Sequence, residues 1–404
     1  PALTVRVADT AQTSNTGVNL FAGVPDGDTS TWSTTYTLTT TVKPANDAPI
    51  LTGTSANPTV VEQPGENTGT GWANLLDGAQ AAGAADPDFI GAGPANFGGG
   101  SIIVTLSGLR TGDVLRLDGS FTGVSGTPTY NAATGTLTIT LTNQATTANI
   151  GAILKAIQYR SSSDNPSNNG LNATRGFSIV LNDGNNGGLN TATGQSTALN
   201  SNALTGTITI TPANDAPKVD LDGSDFAPVT HSATFTEGGN AGNPRVNIAD
   251  SDATLDDKDN TNLASMYVTV GGLRDGNNEI LSIGGTDFQL ATDRNTTVTA
   301  GGVTYRVDYV AGAGTGTFTI TRDGGGVLAR TSVEALLRGM QYTQANGFDT
   351  PTAGNRTFTV TVTDAGMDNA STTGGLTSAP AVSTITVVPT NDQPRITGLT
   401  GNTW

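Results

Sequence analysis

The sequence predicts an all-β chain: tandem β-sandwich domains, each with one short helix, strung in a linear array. Three observations predict it. Apolar residues fall in short alternating runs such as Thr136–Thr142 (TLTITLT), the period-two pattern of a half-buried strand. Turn chemistry is dense, with 53 Gly among 404 residues, while helical periodicity is scarce. A punctuating segment recurs three times, at Pro44–Pro49 (PANDAP), Pro212–Pro217 (PANDAP) and Pro389–Pro394 (PTNDQP).

From Asn46 to Asn214 is 168 residues, and from Asn214 to Asn391 is 177. Solenoid repeats run about 20–50 residues, so each unit here is long enough to hold its own core. More of the unit repeats between the marks: Ser107–Gly112 (SGLRTG) returns as Gly271–Gly276 (GGLRDG), and Ala148–Tyr159 as Thr331–Tyr342. In the last of these, Val333, Leu336, Leu337 and Met340 fall at i, i+3, i+4 and i+7, one apolar face of a short helix. A strand follows each helix, Arg175–Asp183 and Arg356–Asp364, and Leu3–Asp9 stands in the same place in an earlier unit. The expected organisation is therefore 1–43 as the C-terminal part of a preceding repeat, 44–211 and 212–388 as complete repeats, and 389–404 as the start of another. Both ends read as cuts through a longer array. Many short strands with one crossing helix favour a two-sheet sandwich over a barrel.

Composition excludes several functions. Against 18 basic residues stand 34 acidic ones, for a net charge of −16. Such a surface repels nucleic acid and anionic membranes and attracts cations. Cysteine is absent, so there is no disulfide framework, thiol nucleophile or cysteine-bound metal. A large domain without disulfides invites another staple, and bound metal is the natural one. No signal peptide, lipidation motif or apolar run long enough to span a membrane is present. His231 is the only histidine, which rules out a histidine-based zinc site and leaves a Ser-His-Asp triad resting on a residue in an expected strand. No phosphate-binding loop precedes a helix. The expectation is that the chain is not an enzyme.

The PANDAP punctuation resembles the cadherin-like and immunoglobulin-like repeats of very large bacterial surface adhesins. In the first unit the resemblance takes in Asp86–Asp88 (DPD), Ala95–Gly100 (ANFGGG), Ile157–Tyr159 (IQY), Ser163–Pro166 (SDNP) and Asn182–Gly184 (NDG). The second unit departs from it: Asp250–Asp252 (DSD) takes the place of the first motif, an Asp-rich insertion follows, and Asn346–Pro351 (NGFDTP) replaces SDNP. The resemblance implies an extracellular protein of the bacterial surface or secreted matrix, with modules acting as extenders in attachment or biofilm formation. It also implies Ca²⁺ at junctions whose oxygens come from one module, the linker and the next. The ligand sets read from the repeat are Asp9, Asn46, Asp47, Glu62, Asp86 and Asp88 at the first junction. They are Asp183, Asn214, Asp215, Glu237, Asp250 and Asp252 at the second, and Asp364, Asn391 and Asp392 at the third. The bland alternative is that Asn-Asp before Pro builds Asx-turns at a boundary. The clusters Asp220–Asp225 and Asp256–Asp259 read as solvated acidic loops, since neither fits a twelve-residue EF-hand loop.

Expected partners are calcium ions, neighbouring repeats, and other copies of the chain or matrix components, with no nucleic acid and no membrane insertion. Two rival roles stay open: a subunit of a surface layer or filament, and an accessory carbohydrate-binding region. The latter needs an exposed aromatic row, and Trp32, Trp72 and Trp404 are far apart in sequence.

Overall fold

Alternation settles the strands, and the direction of the first and last strand of each unit settles the architecture. The computed structural model describes residues 2–5, 36–39, 46–64, 68–87, 96–184, 197–223, 230–238, 242–366 and 374–392. Strands β1 (Ala2–Val5) and β2 (Tyr36–Thr39) pair antiparallel. The first sandwich contains β3 (Ile50–Thr52), β4 (Thr59–Val61), β5 (Ala73–Asn74), β6 (Gly83–Ala85), β7 (Ser101–Ser107), β8 (Asp113–Leu117), β9 (Thr129–Asn131) and β10 (Thr136–Thr140). Helix α1 (Thr147–Lys155) follows, then β11 (Ile157–Ser161), β12 (Thr174–Asn182) and β13 (Leu204–Thr211). One sheet has the order β4-β13-β12-β7-β10-β9, the other β5-β11-β8, and β3 pairs with β6.

Inward-pointing residues of the large sheet meet across the β7–β12 ladder as Ile102 with Leu181, Val104 with Ile179, and Leu106 with Phe177. They share one core with Leu115, Ile157 and Tyr159 of the small sheet and Ile150, Ile153 and Leu154 of α1. Polar and partly exposed residues alternate with them, as expected for a sheet covered on one face.

The second sandwich repeats the plan with β14 (Lys218–Asp220), β15 (His231–Thr236), β16 (Val246–Asn247), β17 (Thr254–Asp256), β18 (Asn262–Gly271), β19 (Glu279–Ile283), β20 (Thr286–Gln289), β21 (Arg294–Ala300), β22 (Val303–Gly312), β23 (Thr315–Arg322) and β24 (Leu328–Ala329). Helix α2 (Arg330–Arg338), β25 (Gln341–Gln344), β26 (Gly354–Asp364) and β27 (Ala381–Val388) complete it. Its sheets run β15-β27-β26-β18-β23-β22-β21 and β16-β25-β19-β20. A second, separate core extends from Val219 to Val387.

In both sandwiches the first strand of the large sheet pairs with the last in parallel: β4 with β13, and β15 with β27. Parallel neighbours enter at one pole and leave at the other, so each unit passes the chain on end to end.

The helices are shorter than the repeated segments suggest. Val333, Leu336 and Leu337 are the buried face of α2, but Met340 lies beyond its end, and Ile157–Tyr159 and Gln341–Tyr342 are strand. There Ile157 and Tyr159 alternate with Gln158 against β8, so pairing with a sheet edge outweighs helical spacing. Gly151 stands inside α1 because a Cβ there would come within 2.1 Å of the Ala82 carbonyl oxygen. At the matching position of α2, Glu334 accepts the Leu255 N–H of β17 at 3.1 Å.

Two separate cores make a direct prediction. Leu337→Ala, at a fully buried site of the second core, is expected to destabilise that sandwich by about 2–5 kcal/mol. Distant sites add independently, so calorimetry should show one melting transition move while that of the first sandwich stays. A common shift of both would show a single cooperative unit.

Candidate metal centre

Each of the first two linkers is fastened by its asparagine to the strand-ending aspartate of the sandwich that follows. Asn214 Nδ2 donates to Asp364 Oδ2 at 3.0 Å, and Asn46 Nδ2 donates to Asp183 Oδ2 at 2.8 Å. Both aspartates are buried at the end of the long central strand, β26 or β12. They also accept backbone N–H groups, from Gly366 on Oδ1 and Leu376 on Oδ2 of Asp364, and from Leu199 on Oδ1 of Asp183.

The opposite pole carries a glutamate. Glu62, just after β4, accepts the Ala213 N–H on Oε2 at 3.1 Å; Glu237, just after β15, accepts the Thr390 N–H on Oε2 at 2.8 Å. Parallel pairing puts these glutamates where the chain leaves a sandwich, so Glu62 faces the second linker and Glu237 faces the third.

Between the two sandwiches the sets meet. Carboxylate oxygens of Glu62, Asp215 and Asp259 lie within 4.8 Å of one another, and all three residues are buried. They come from the first sandwich, the linker and the second sandwich. The Asp215 N–H donates to Asp259 Oδ2 at 2.8 Å, and the Asp259 N–H donates to Asp257 Oδ1 at 3.0 Å. From the β11–β12 loop of the first sandwich, Asn165 Nδ2 donates to the Lys258 carbonyl at 3.1 Å and Asn169 Nδ2 to the Asp259 carbonyl at 2.7 Å.

The electrostatics are strongly unfavourable to bare charge. Burial pushes the Glu62 carboxyl from 4.5 up to about 8; the Ala213 N–H opposes this, and the charges of Asp259, Asp215 and Asp164 add to it. Burial likewise carries Asp257 up to about 7 and Asp259 up to about 6, each against a backbone N–H bond and with help from neighbouring carboxylates, Asp364 among them. Four buried oxygens, Glu62 Oε1, Asn214 Oδ1, Asp257 Oδ2 and Asp259 Oδ1, accept no hydrogen bond. Buried polar atoms are normally satisfied. A desolvated, all-oxygen set with spare lone pairs fits a hard dication, and calcium, with six to eight oxygen ligands, more naturally than zinc or copper.

Not every residue picked from the repeat joins this set. The structure brings Asn214 and Asp215 together with Glu62, which the repeat reading placed one junction earlier, and with Asp364, which it placed one junction later. Asp183 lies with Asn46 at the first linker rather than with Asn214. Asp86 follows β6, whose Ala85 pairs with Ile50, and so sits at that same pole, whereas Asp47 is exposed. Asp250 and Asp252 are exposed on the loop before β17, and Glu237 lies at the far pole with Asn391 and Asp392. Asp9 and Asp88 lie outside the described residues.

The loop Asp256–Asp259, expected to be solvated, instead supplies the site, with Asp257 8% and Asp259 1% exposed. The register explains why. Lys218 pairs with Asp256 as Ile50 pairs with Ala85, so Asp257-Lys258-Asp259 is the counterpart of Asp86-Pro87-Asp88. Asp250 is the counterpart of Asp77: each lies three residues past a two-residue strand, β16 or β5, and donates its N–H to a carbonyl just beyond the first strand, that of Leu221 after β14 or Thr54 after β3. An Asp-x-Asp after a short strand paired to the linker was the signal available. His231 lies on β15 with Nδ1 3.0 Å from Ser383 Oγ. Trp72 stacks under Arg116 and Arg160, 4.0 and 4.6 Å from its ring centre, and Trp32 and Trp404 lie outside the described residues.

No family model and no curated protein matches the chain. Among solved structures, it is similar to extracellular cadherin domains 1–4 of protocadherin gamma B7, with 11% identity over 86% of this chain and a TM-score of 0.22. It spans about half, 51%, of that fragment. Mouse protocadherin-24 domains 1–3 match over 96% of this chain and 80% of theirs, with 12% identity and a TM-score of 0.24. CfaE, the adhesive subunit of the CFA/I fimbria of enterotoxigenic Escherichia coli, matches over 86% of this chain and all of its own (100%), with 12% identity and a TM-score of 0.28. The fold rests on the chain's own sheets and its two separate cores, which make it a tandem β-sandwich protein.

Proposed function

We propose that this chain is the repeat region of a bacterial cell-surface or matrix adhesin, whose modules act as calcium-stiffened extenders in attachment or biofilm formation. Its repeats run 44–211 and 212–388, flanked by the end of one repeat (1–43) and the start of another (389–404). One observation supports this reading above the rest: Glu62, Asp215 and Asp259 gather buried carboxylates from both sandwiches and the linker between them. Two carboxylates about 4.8 Å apart repel by about 3.5 kcal/mol at an effective dielectric of 20. Without a cation, the site either holds protons or lets that repulsion part the sandwiches; a dication turns the same carboxylates into a clamp. Calcium at one hundred times its dissociation constant would stabilise the junction by about 2.7 kcal/mol. Extracellular modules bind at roughly 10⁻⁴–10⁻³ M, a range suited to life outside the cell. The third linker repeats half of the arrangement, with Glu237 Oε1 and Asp392 Oδ2 buried and without a hydrogen bond.

Small-angle X-ray scattering is expected to show a rod in millimolar calcium that becomes heterogeneous in chelator and recovers with calcium but not magnesium. Scattering indifferent to chelation would overturn calcium stiffening and favour a lattice built from direct contacts. Glu62→Gln and Asp259→Asn should each weaken calcium binding at this junction by at least about tenfold, read by calorimetric titration.

Acid–base linkage provides an independent check. In the metal-free fold Glu62 keeps its proton up to about pH 8, whereas an unfolded glutamate loses it near 4.5. The folded state then binds more protons across that window, so stability falls as pH rises through it. The melting temperature in chelator should be lower at about pH 8 than at about pH 5, with Glu62→Gln reducing the difference and calcium abolishing the part that Glu62 causes.

A further inference from the structure

Away from the carboxylate cluster, each sandwich buries an arginine that the candidate metal centre does not use. Arg175 and Asp113 have fully buried side chains, with Nε 2.6 Å from Oδ2. Asp113 is held from two sides: Tyr159 Oη donates to Oδ1 and the Arg110 N–H donates to Oδ2, both at 2.7 Å. The rest of the guanidinium faces the β11–β12 loop. Nη2 donates to the Pro166 carbonyl at 2.7 Å and Nη1 to the Asn172 carbonyl at 2.8 Å. One planar cation thus ties both ends of segment 166–172 to a fixed carboxylate. Within that segment Asn168 and Asn169 have φ of 51° and 56°, a left-handed backbone that costs energy unless its surroundings impose it. Asn165 and Asn169 are the residues that reach the Lys258 and Asp259 carbonyls across the junction.

The second sandwich builds the same device at its own far pole. Arg356 pairs with buried Glu279, to which Tyr342 Oη donates at 2.9 Å, and with Asp275. Its Nη2 donates to the Thr352 carbonyl and its Nη1 to the Gly354 carbonyl, at 2.9 and 3.1 Å. Arg356 is the third residue of β26 and Asp364 its last, so at about 3.4 Å per residue this clamp lies about 27 Å from the junction.

We propose that Arg175 is a positioning residue for the inter-module junction, fixing the loop whose asparagines grip the segment that carries Asp259. Stability alone is a poor reason for such a pair, because buried ion pairs are often no more stabilising than well-packed apolar residues. A guanidinium bonds a carboxylate and two carbonyls in one plane, and a lysine ammonium cannot reproduce that fork. The affinity part of the test rests on calcium binding at this junction; the order part does not.

The chain has no cysteine, so Thr134→Cys and Val310→Cys, on exposed positions of the two sandwiches, can carry spin labels for distance measurement. Parent, Arg175→Lys and Arg356→Lys chains would be compared while calcium is titrated through roughly 10⁻⁵–10⁻² M. Arg175→Lys is expected to broaden the inter-label distance and shift its calcium midpoint upward by roughly 10–100-fold. Arg356→Lys should lower the melting temperature of its own sandwich while leaving width and midpoint as in the parent. Equal behaviour of the two variants, or a parent-like Arg175→Lys, overturns the proposal. A parent distance that ignores calcium overturns the calcium reading, and the widths in Arg175→Lys and Arg356→Lys then decide the role of Arg175.

Discussion

The parallel pairing of first and last strands governs this molecule. An antiparallel closure would bring both ends of a unit to one pole and fold the array back on itself. With β4 beside β13 and β15 beside β27, entry and exit lie at opposite poles, and each pole acquires a fixed chemistry. The entry pole receives the strand-ending aspartate and the Asp-x-Asp loop; the exit pole receives the glutamate and, in the first sandwich, the asparagine-rich loop. Each junction is therefore made from two unlike halves, and neither half gathers the whole oxygen set alone.

That division explains how an acidic chain tolerates so much buried negative charge. The carboxylates are not compensated within the sandwich that owns them. Burial, the charges of Asp259 and Asp215 across the junction and that of Asp164 in its own sandwich all raise the proton affinity of Glu62. Inside the sandwiches charge is handled differently: Asp113 and Glu279 each have an arginine and a tyrosine at hydrogen-bond distance. The contrast between paired charge in the cores and unsatisfied charge at the poles separates what holds a module together from what joins it to the next.

Much of this was legible in the sequence. Period-two runs marked the central strands, and Arg175–Asp183 and Arg356–Asp364 fall on β12 and β26 almost to the residue. The repeat also singled out Asn214, Asp215, Glu62 and Asp364. Their grouping was not legible, because sequence order assigns a residue to the nearest linker, whereas a strand some ten residues long carries its end to the opposite pole. Asp183 moved for that reason; Glu62 moved because the chain crosses the sandwich through β3 and the three-residue β4 before reaching it. The exchange of Asp250 for Asp257 had another cause: two Asp-x-Asp motifs compete, and only the ladder between Lys218 and Asp256 selects one. Short strands of three residues leave too little alternation to reveal such a ladder beforehand.

The order of Asn and Asp in the punctuation follows from the same geometry. At the first of the two positions the side chain must donate to a buried aspartate and still present oxygen to the site. An amide does both through separate atoms: Asn214 gives Nδ2 to Asp364 and keeps Oδ1 without a partner. A carboxylate there would set two anions 3.0 Å apart with no proton between them. At the second position the donor is the backbone, since the Asp215 N–H already serves Asp259, and the side chain brings charge. One neutral oxygen and one charged oxygen thus enter from adjacent residues. The flanking prolines, which have no N–H and a fixed φ, keep the segment extended enough for both to point into the junction. What reads as punctuation between domains is the part of the chain on which the two sandwiches converge.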